Sequence, residues 1–343
     1  MLTAIAIVAC NRTPLSEKKS EPTQSKTESA EQASRFIIGI DNKYGYINSN
    51  GSIVIPPQYE IAEDFHEGLA QVYIDRKIVF IDTNGKTIIE PPYKSTGFFS
   101  DGLAKVDMNG KLGYIDKNGK VVIQTQYEYQ WWSGDFGEGF ARVKEGDKYG
   151  FIDKNGSLVI SPRFEDGVTF HEGMAVVKLN GKWGFINKNG QLIIQPQFED
   201  EESFSEGLAA VKVGEKYGYI DKTGQYVIQP QYEKARDFSE GLAAVKTNGK
   251  YGYIDKTGQY VIQPQYEEAH NFSEGLASVQ IGQFPHGKCG YINSTGNFVI
   301  AAQFIDADTF HNGLAWFEKF DKNAICGYIN KSGEVVWSKE VKW

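Results

Sequence analysis

Apolar and polar residues alternate along this chain in short runs separated by turn residues. Leu242-Ala-Ala-Val-Lys246 is one such run, Tyr251-Gly-Tyr-Ile-Asp255 a second and Gln259-Tyr-Val-Ile-Gln263 a third. A period of two places successive side chains on opposite faces of a strand, so each run predicts a half-buried or buried β-strand. Asn248-Gly249 between the first two runs is a strong hairpin signal. Asp255-Lys-Thr-Gly258 closes the second onto the third, with Asp placed to bond backbone amides ahead of it and Gly able to take a positive φ. Pro264 is expected to end the third ladder, because it has no N–H to donate. Residues 265–275 then connect to the next unit, with room for a short fourth strand around Tyr266 to Ala269.

The pattern recurs. The small residue at the centre of the second strand falls at Gly45, Val79, Gly113, Gly150, Gly184, Gly218, Gly252, Gly290 and Gly327, in steps of 34, 34, 37, 34, 34, 34, 38 and 37 residues. A second landmark, the glycine of Phe238-Ser-Glu-Gly-Leu-Ala243 and its copies, keeps the same period. Two landmarks with one period identify a tandem array, in which each unit buries its surface against its neighbours.

With Phe238-Ser-Glu-Gly-Leu-Ala-Ala-Val-Lys246 and Gly249-Lys-Tyr-Gly-Tyr-Ile-Asp-Lys-Thr-Gly258 in view, the chain resembles the bacterial WG-repeat (KWG-repeat) family. Gly181-Lys-Trp-Gly-Phe-Ile186 carries the Trp-Gly pair. The match covers roughly residues 36 to 343, with Val79 in place of glycine and Leu112, Cys289 and Cys326 in place of the preceding aromatic. The resemblance implies a β-rich repeat domain of the kind found in envelope or secreted proteins, and it brings no catalytic residues.

The fold expected from the units is all-β: about nine three-stranded antiparallel units in an open, curved or superhelical array. The count disfavours a ring, since propellers typically close with about four to eight blades. A closed β-propeller-like ring is the alternative. On the second strand, Gly252 is expected to let the next unit approach closely.

Composition changes the picture mainly at the ends. Residues 1–10 end in Ile7-Val8-Ala9-Cys10, which resembles a lipobox and makes Cys10 the expected lipidation site. The run is too short to span a bilayer, which takes about 20 apolar residues. Residues 11–35 are expected to form a disordered polar tether, for want of apolar surface to bury. The repeats occupy residues 36–343. A location at the bacterial cell envelope follows, with membrane contact only through Cys10, or secretion as the alternative. A net charge of −8 argues against a nucleic-acid partner, which needs a basic face.

Chemistry is scarce. His66, His171 and His311 replace the serine of Phe-Ser-Glu-Gly and read as solvated loop residues. No zinc spacing, nucleophile elbow or phosphate-binding loop occurs, so no metal, cofactor or enzyme activity is expected. Asp116, Asp153, Asp221 and Asp255 interchange with Asn48, Asn187, Asn293 and Asn330, which turn capping tolerates and acid catalysis does not. Cys289 and Cys326 share one repeat position and are read as small core residues before a disulfide. The Tyr rows are expected to be core ladders. Function is sought where the period breaks. Trp131 and Trp132 lie in a connection that spans nine residues from Tyr127 to Phe136, against six from Tyr232 to Phe238. Phe284 and His286 lie in a lengthened hairpin, and residues 317–324 lengthen another. These point to a noncatalytic scaffold that binds a protein, with a carbohydrate or cell-wall ligand on exposed aromatics as the alternative.

Overall fold

The computed structural model describes residues 34–132, 134–283, 286–320 and 324–341. They form nine antiparallel sheets in chain order, the first of three strands and the other eight of four. The first sheet is Phe36–Ile40, Lys43–Ile47 and Ile53–Tyr59. In the seventh, a short leading strand, Lys234–Ala235, pairs with Ala243–Thr247, followed by Lys250–Ile254 and Tyr260–Tyr266. The expected short strand after Tyr266 exists as Glu268–Ala269, but it pairs through Glu268↔Gln280 and Ala269↔Val279 and so belongs to the next sheet. The residues form two compact units: residues 34–48 with Ser52–Ser203, and Ser49–Gly51 with Phe204 onward.

Consecutive sheets pack a large face on a small one. In the second unit Tyr219, Ile228 and Tyr232 of the sixth sheet cluster with Ala243, Val245 and Ile254 of the seventh. Tyr253, Ile262 and Tyr266 in turn meet Ala277, Val279 and Ile292. The first unit repeats the scheme, with Tyr46, Ile55 and Tyr59 against Ala70, Val72 and Ile81. Both faces of the third strand are therefore buried, and Tyr251, Tyr253 and Ile254 are all at most 2% exposed. At about 25 cal/mol per Å² of apolar surface, these face-to-face contacts are the main stabilising term.

The expectation of an open superhelical array of three-stranded units is overturned on both counts. The unit is four-stranded, because residues of each connection complete the following sheet, six and five of them in the second and third sheets and two in each later one. Within a unit, the turn glycine of one sheet also rests on the last strand of the sheet before it: Gly258 on Ile228, Gly296 on Ile262 and Gly333 on Ile300. Gly51, the turn glycine of the first sheet, lies in the same way against Val336 of the ninth. First and last repeats touch, so the series closes as a nine-bladed β-propeller.

The strand-centre glycine has a different role from the one expected. Tyr251 pairs with Tyr266 and Tyr253 with Ile262, so two residues on one strand oppose four on the other. Pro264 sits inside the resulting bulge and does not end the strand. Gly252 faces the bulge, and a Cβ there would lie 2.5 Å from the Ile262 carbonyl oxygen and 2.7 Å from the Pro264 nitrogen. The close approach is thus within one sheet. At Val79 that approach is blocked, and the last strand of the second sheet stops after Thr87–Ile89.

Turns behave as the sequence implies. Asp255 Oδ1 accepts from the amides of Thr257 (2.8 Å) and Gln259 (3.1 Å). Asn187 Oδ1 accepts from Asn189 and Gln191 at 3.0 Å each. In Ser239-Glu-Gly-Leu242, Glu240 and Gly241 have φ of 55° and 82°. The Glu240 carboxylate holds this otherwise unfavourable conformation by accepting the Gly275 amide of the next sheet at 2.9 Å. Ser239 Oγ also reaches across, donating to the Phe272 carbonyl at 2.7 Å, so this position is an inter-sheet link and not merely a solvated one. Cys289 is buried and free, which rules out a disulfide with Cys326; burial, the largest influence, pushes its thiol up to about 12.

Gly252→Ala should cost about 1–3 kcal/mol, read as a lowered denaturation midpoint, because the strand must separate from its bulge. The hydroxyl of Thr223 holds the Asp221 carboxyl, and that of Thr257 the Asp255 carboxyl, below their ordinary value of 3.8, with turn amides adding to the effect. A carboxylate depressed on folding stabilises above its unfolded value and loses that contribution as pH falls through the folded one. Asp221→Asn with Asp255→Asn should therefore preserve Tm at neutral pH, since Asn caps the same turn. It should narrow the drop in Tm between neutral pH and pH below 3.8.

Candidate partner-binding site

The lengthened connection between the third and fourth sheets begins after Val121–Glu128 and ends at Phe136–Gly137. Its main chain is anchored at Tyr129, Trp131 and Gly134. The Tyr129 amide donates to the Gly110 carbonyl at 3.0 Å, and its hydroxyl lies 2.8 Å from Ser95 Oγ. Tyr114 donates its hydroxyl to the Gly134 carbonyl at 2.6 Å. Phe136 is buried, edge-on to Tyr114 with 4.8 Å between centroids.

Beneath the two indoles lies Lys105, only 3% exposed. Its Nζ donates to the Trp131 carbonyl and to Asp135 Oδ2, each at 2.9 Å. Gly97 makes room for this pair, since a Cβ there would sit 2.8 Å from both Asp135 Oδ1 and Lys105 Cγ. A buried ammonium is tolerable only with such partners. With the backbone fixed, the rings of Trp131 and Trp132 are 72% and 57% exposed and meet edge-to-face at 5.5 Å.

Among the described aromatics these two are the most exposed, ahead of Phe320 at 47% and Phe298 at 42%. The Tyr rows are core, as expected: Tyr46, Tyr114, Tyr219, Tyr253 and Tyr291 are all fully buried. Each also donates its hydroxyl to a backbone carbonyl of the following connection. Desolvation, the leading cause, drives the Tyr253 phenol far above its usual range and prevents ionisation at any ordinary pH.

Other sequence candidates fare differently. His286 is described and exposed, its amide donating to the Gln283 carbonyl at 3.0 Å in the lengthened hairpin. It belongs to the other compact unit from the tryptophans. Phe284 and Cys10 lie outside the described residues. His66 stacks on Phe98 at 4.4 Å, and His311 Nε2 lies 3.1 Å from Thr309 Oγ1. Among the described residues no group of three His, Cys, Asp or Glu side chains is placed to hold a metal.

Sequence reasoning missed Lys105. It sits at a variable position of the strand, where Ala210 and Ala244 stand in other sheets. A lysine facing inward between Ala104 and Val106 was the signal available.

Comparisons with known proteins agree with this architecture. No curated protein matches the chain. Among solved structures, one described as the crystal structure of the eukaryotic initiation factor superposes with a TM-score of 0.67 at 14% identity, covering 91% of this chain and 96% of that one. Dihydro-heme d1 dehydrogenase NirN in complex with DHE gives 0.46 at 13% identity over 84% and 76%, and apo AztD from Citrobacter koseri gives 0.42 at 12% over 82% and 94%. At these identities the first similarity speaks for the fold alone, and the other two superpositions carry no argument. The family model of the WG containing repeat matches residues 44–77, 80–111, 113–149, 149–183, 183–217, 217–251, 251–283 and 290–322. With most of its length matched in register, this chain belongs to the WG-containing repeat family.

Proposed function

We propose that this protein is a noncatalytic scaffold that binds a protein partner through Trp131 and Trp132 and is held at the bacterial cell envelope by a lipidated Cys10. The observation that carries the reading is the contrast between buried aromatic rows and two exposed indoles on an anchored insertion. Large rigid apolar rings that lose little conformational freedom on contact are favoured at the centres of protein interfaces. The repeat glycines, aspartates and tyrosines support a scaffold because each has a structural partner of its own. A second reading rests on the same two rings. Exposed indole faces also suit stacking on sugar rings, which makes a glycan or cell-wall polymer the alternative ligand.

Trp131→Ala combined with Trp132→Ala should abolish capture of envelope proteins while changing stability by less than about 0.5 kcal/mol. Retained capture would remove the site, and binding of the parent protein to purified polysaccharide or peptidoglycan would favour the glycan reading. Lys105→Ala, in the same series, should cost about 1–3 kcal/mol by stripping the donor from Asp135 and the Trp131 carbonyl. For the anchor, a lipid precursor fed to cells should label the parent protein and not Cys10→Ala. Equal labelling of the two would sink the anchor.

A further inference from the structure

The leading strands of the seventh, eighth and ninth sheets bring three different side chains to one register position: Arg236, His270 and Asp308. Their amides donate to the carbonyls of Ala244, Ser278 and Trp316, each at 3.0 Å. Their own carbonyls accept the hydroxyls of Tyr219, Tyr253 and Tyr291 from the preceding sheet at 2.7, 2.8 and 2.6 Å. The backbone beneath the three side chains is thus fixed from two sides. Guanidinium, imidazole and carboxylate follow one another on consecutive sheets.

In the second, third, fourth and eighth sheets this layer is bonded from within. Gln71, Lys105, Arg142 and Ser278 occupy one equivalent position, and each bonds the leading segment of the sheet that follows. Gln71 Oε1 accepts from Thr96 Oγ1 (3.1 Å), and Lys105 donates to Asp135 (2.9 Å). Arg142 donates to Asp166 and the Gly167 carbonyl, and Ser278 Oγ to the Ala307 carbonyl (2.8 Å). The fifth, sixth and seventh sheets carry Val176, Ala210 and Ala244 there, all buried and with no polar atom to offer. Ala210 clusters with Ala235 and Phe238, and Ala244 with Ala269 and Phe272, on either side of the residues in question. Arg236 Nε and Asn271 Oδ1 are buried and have no hydrogen-bond partner among the described residues, as is also true of Gln130 Oε1, Asp135 Oδ1, Glu201 Oε2 and Asp237 Oδ1. Such an atom costs about 1–3 kcal/mol unless something else pairs with it. Here a donor and an acceptor are left over on adjacent sheets, each opposite an alanine.

We propose that Arg236, Asn271 and Asp308 form a binding site for a small amino carboxylate, its anionic end on the Arg236 guanidinium and its ammonium on Asn271 Oδ1 and Asp308. A charge-assisted bond at each end is stronger than a neutral one, and the order of charges fixes the direction of binding. His270 lies between them. Desolvation, the largest cause, and the Arg236 charge lower its pKa, against Asp308, Asp306 and Glu268, which raise it. The site is independent of the tryptophan insertion.

The test is a titration of the folded protein with β-alanine, γ-aminobutyrate and ε-aminocaproate, followed by the His270 imidazole resonances, with acetate and ethylammonium as single-charge controls. At least one amino carboxylate should give a saturable shift that neither control matches. Arg236→Gln should weaken it about tenfold or more. Ala210→Gln should do the same while leaving Arg236 in place, by supplying the internal partner that Gln71 supplies in the second sheet. No saturable shift, a control that binds as well, or equal binding by parent and both variants would each overturn the proposal and leave water as the partner of these atoms.

Discussion

The stacking of a tyrosine-rich face on an alanine- and valine-rich face is the interaction on which the molecule depends. A narrow sheet cannot bury both sides of its central strand by itself. Tyr253 and Ile254 point in opposite directions, yet neither is exposed, because sheets on both sides cover them. Large rings on one face and small side chains on the other make successive units complementary without any two needing to be identical. Tyrosine serves better than phenylalanine here because its hydroxyl reaches the next connection and fixes where the following sheet begins.

This constraint uses up most of the chain's chemistry. Aspartates cap turns, strand glycines admit a bulge, and the glutamate of each Glu-Gly turn holds the amide of the following sheet. The prolines within the bulges, Pro264 among them, interrupt strands that would otherwise offer a continuous edge to other chains. What remains for recognition lies where the repeat departs from itself. One departure adds residues, and Lys105 holds the added segment so that two indoles face solvent. The other removes a polar side chain, at Ala210 and Ala244, from a layer that four other sheets bond internally. Both departures use the same strand position, which faces the leading segment of the next sheet.

Strand identity, turn chemistry, the number of units and the core role of the tyrosine rows follow from the sequence alone. Each depends on residues close in the chain: alternation sets a face, Asp and Gly set a turn, and a period counts units. The exposed pair Trp131 and Trp132 was legible for the same reason, as an interruption of a local pattern. The tertiary structure decided what depends on distant partners. Two-residue strands such as Glu268–Ala269 exist only because the following sheet offers them a ladder, so no local signal distinguishes them from a connection. Closure was likewise decided by how far each sheet turns on the one before, a quantity fixed by packing across the interface; Gly51 against Val336 joins residues at opposite ends of the repeat series. The burial of Lys105 and the unpaired atoms of Arg236 and Asn271 also arise between sheets. A repeated sequence states what each unit is, while the contacts between units decide where each variable residue finds a partner.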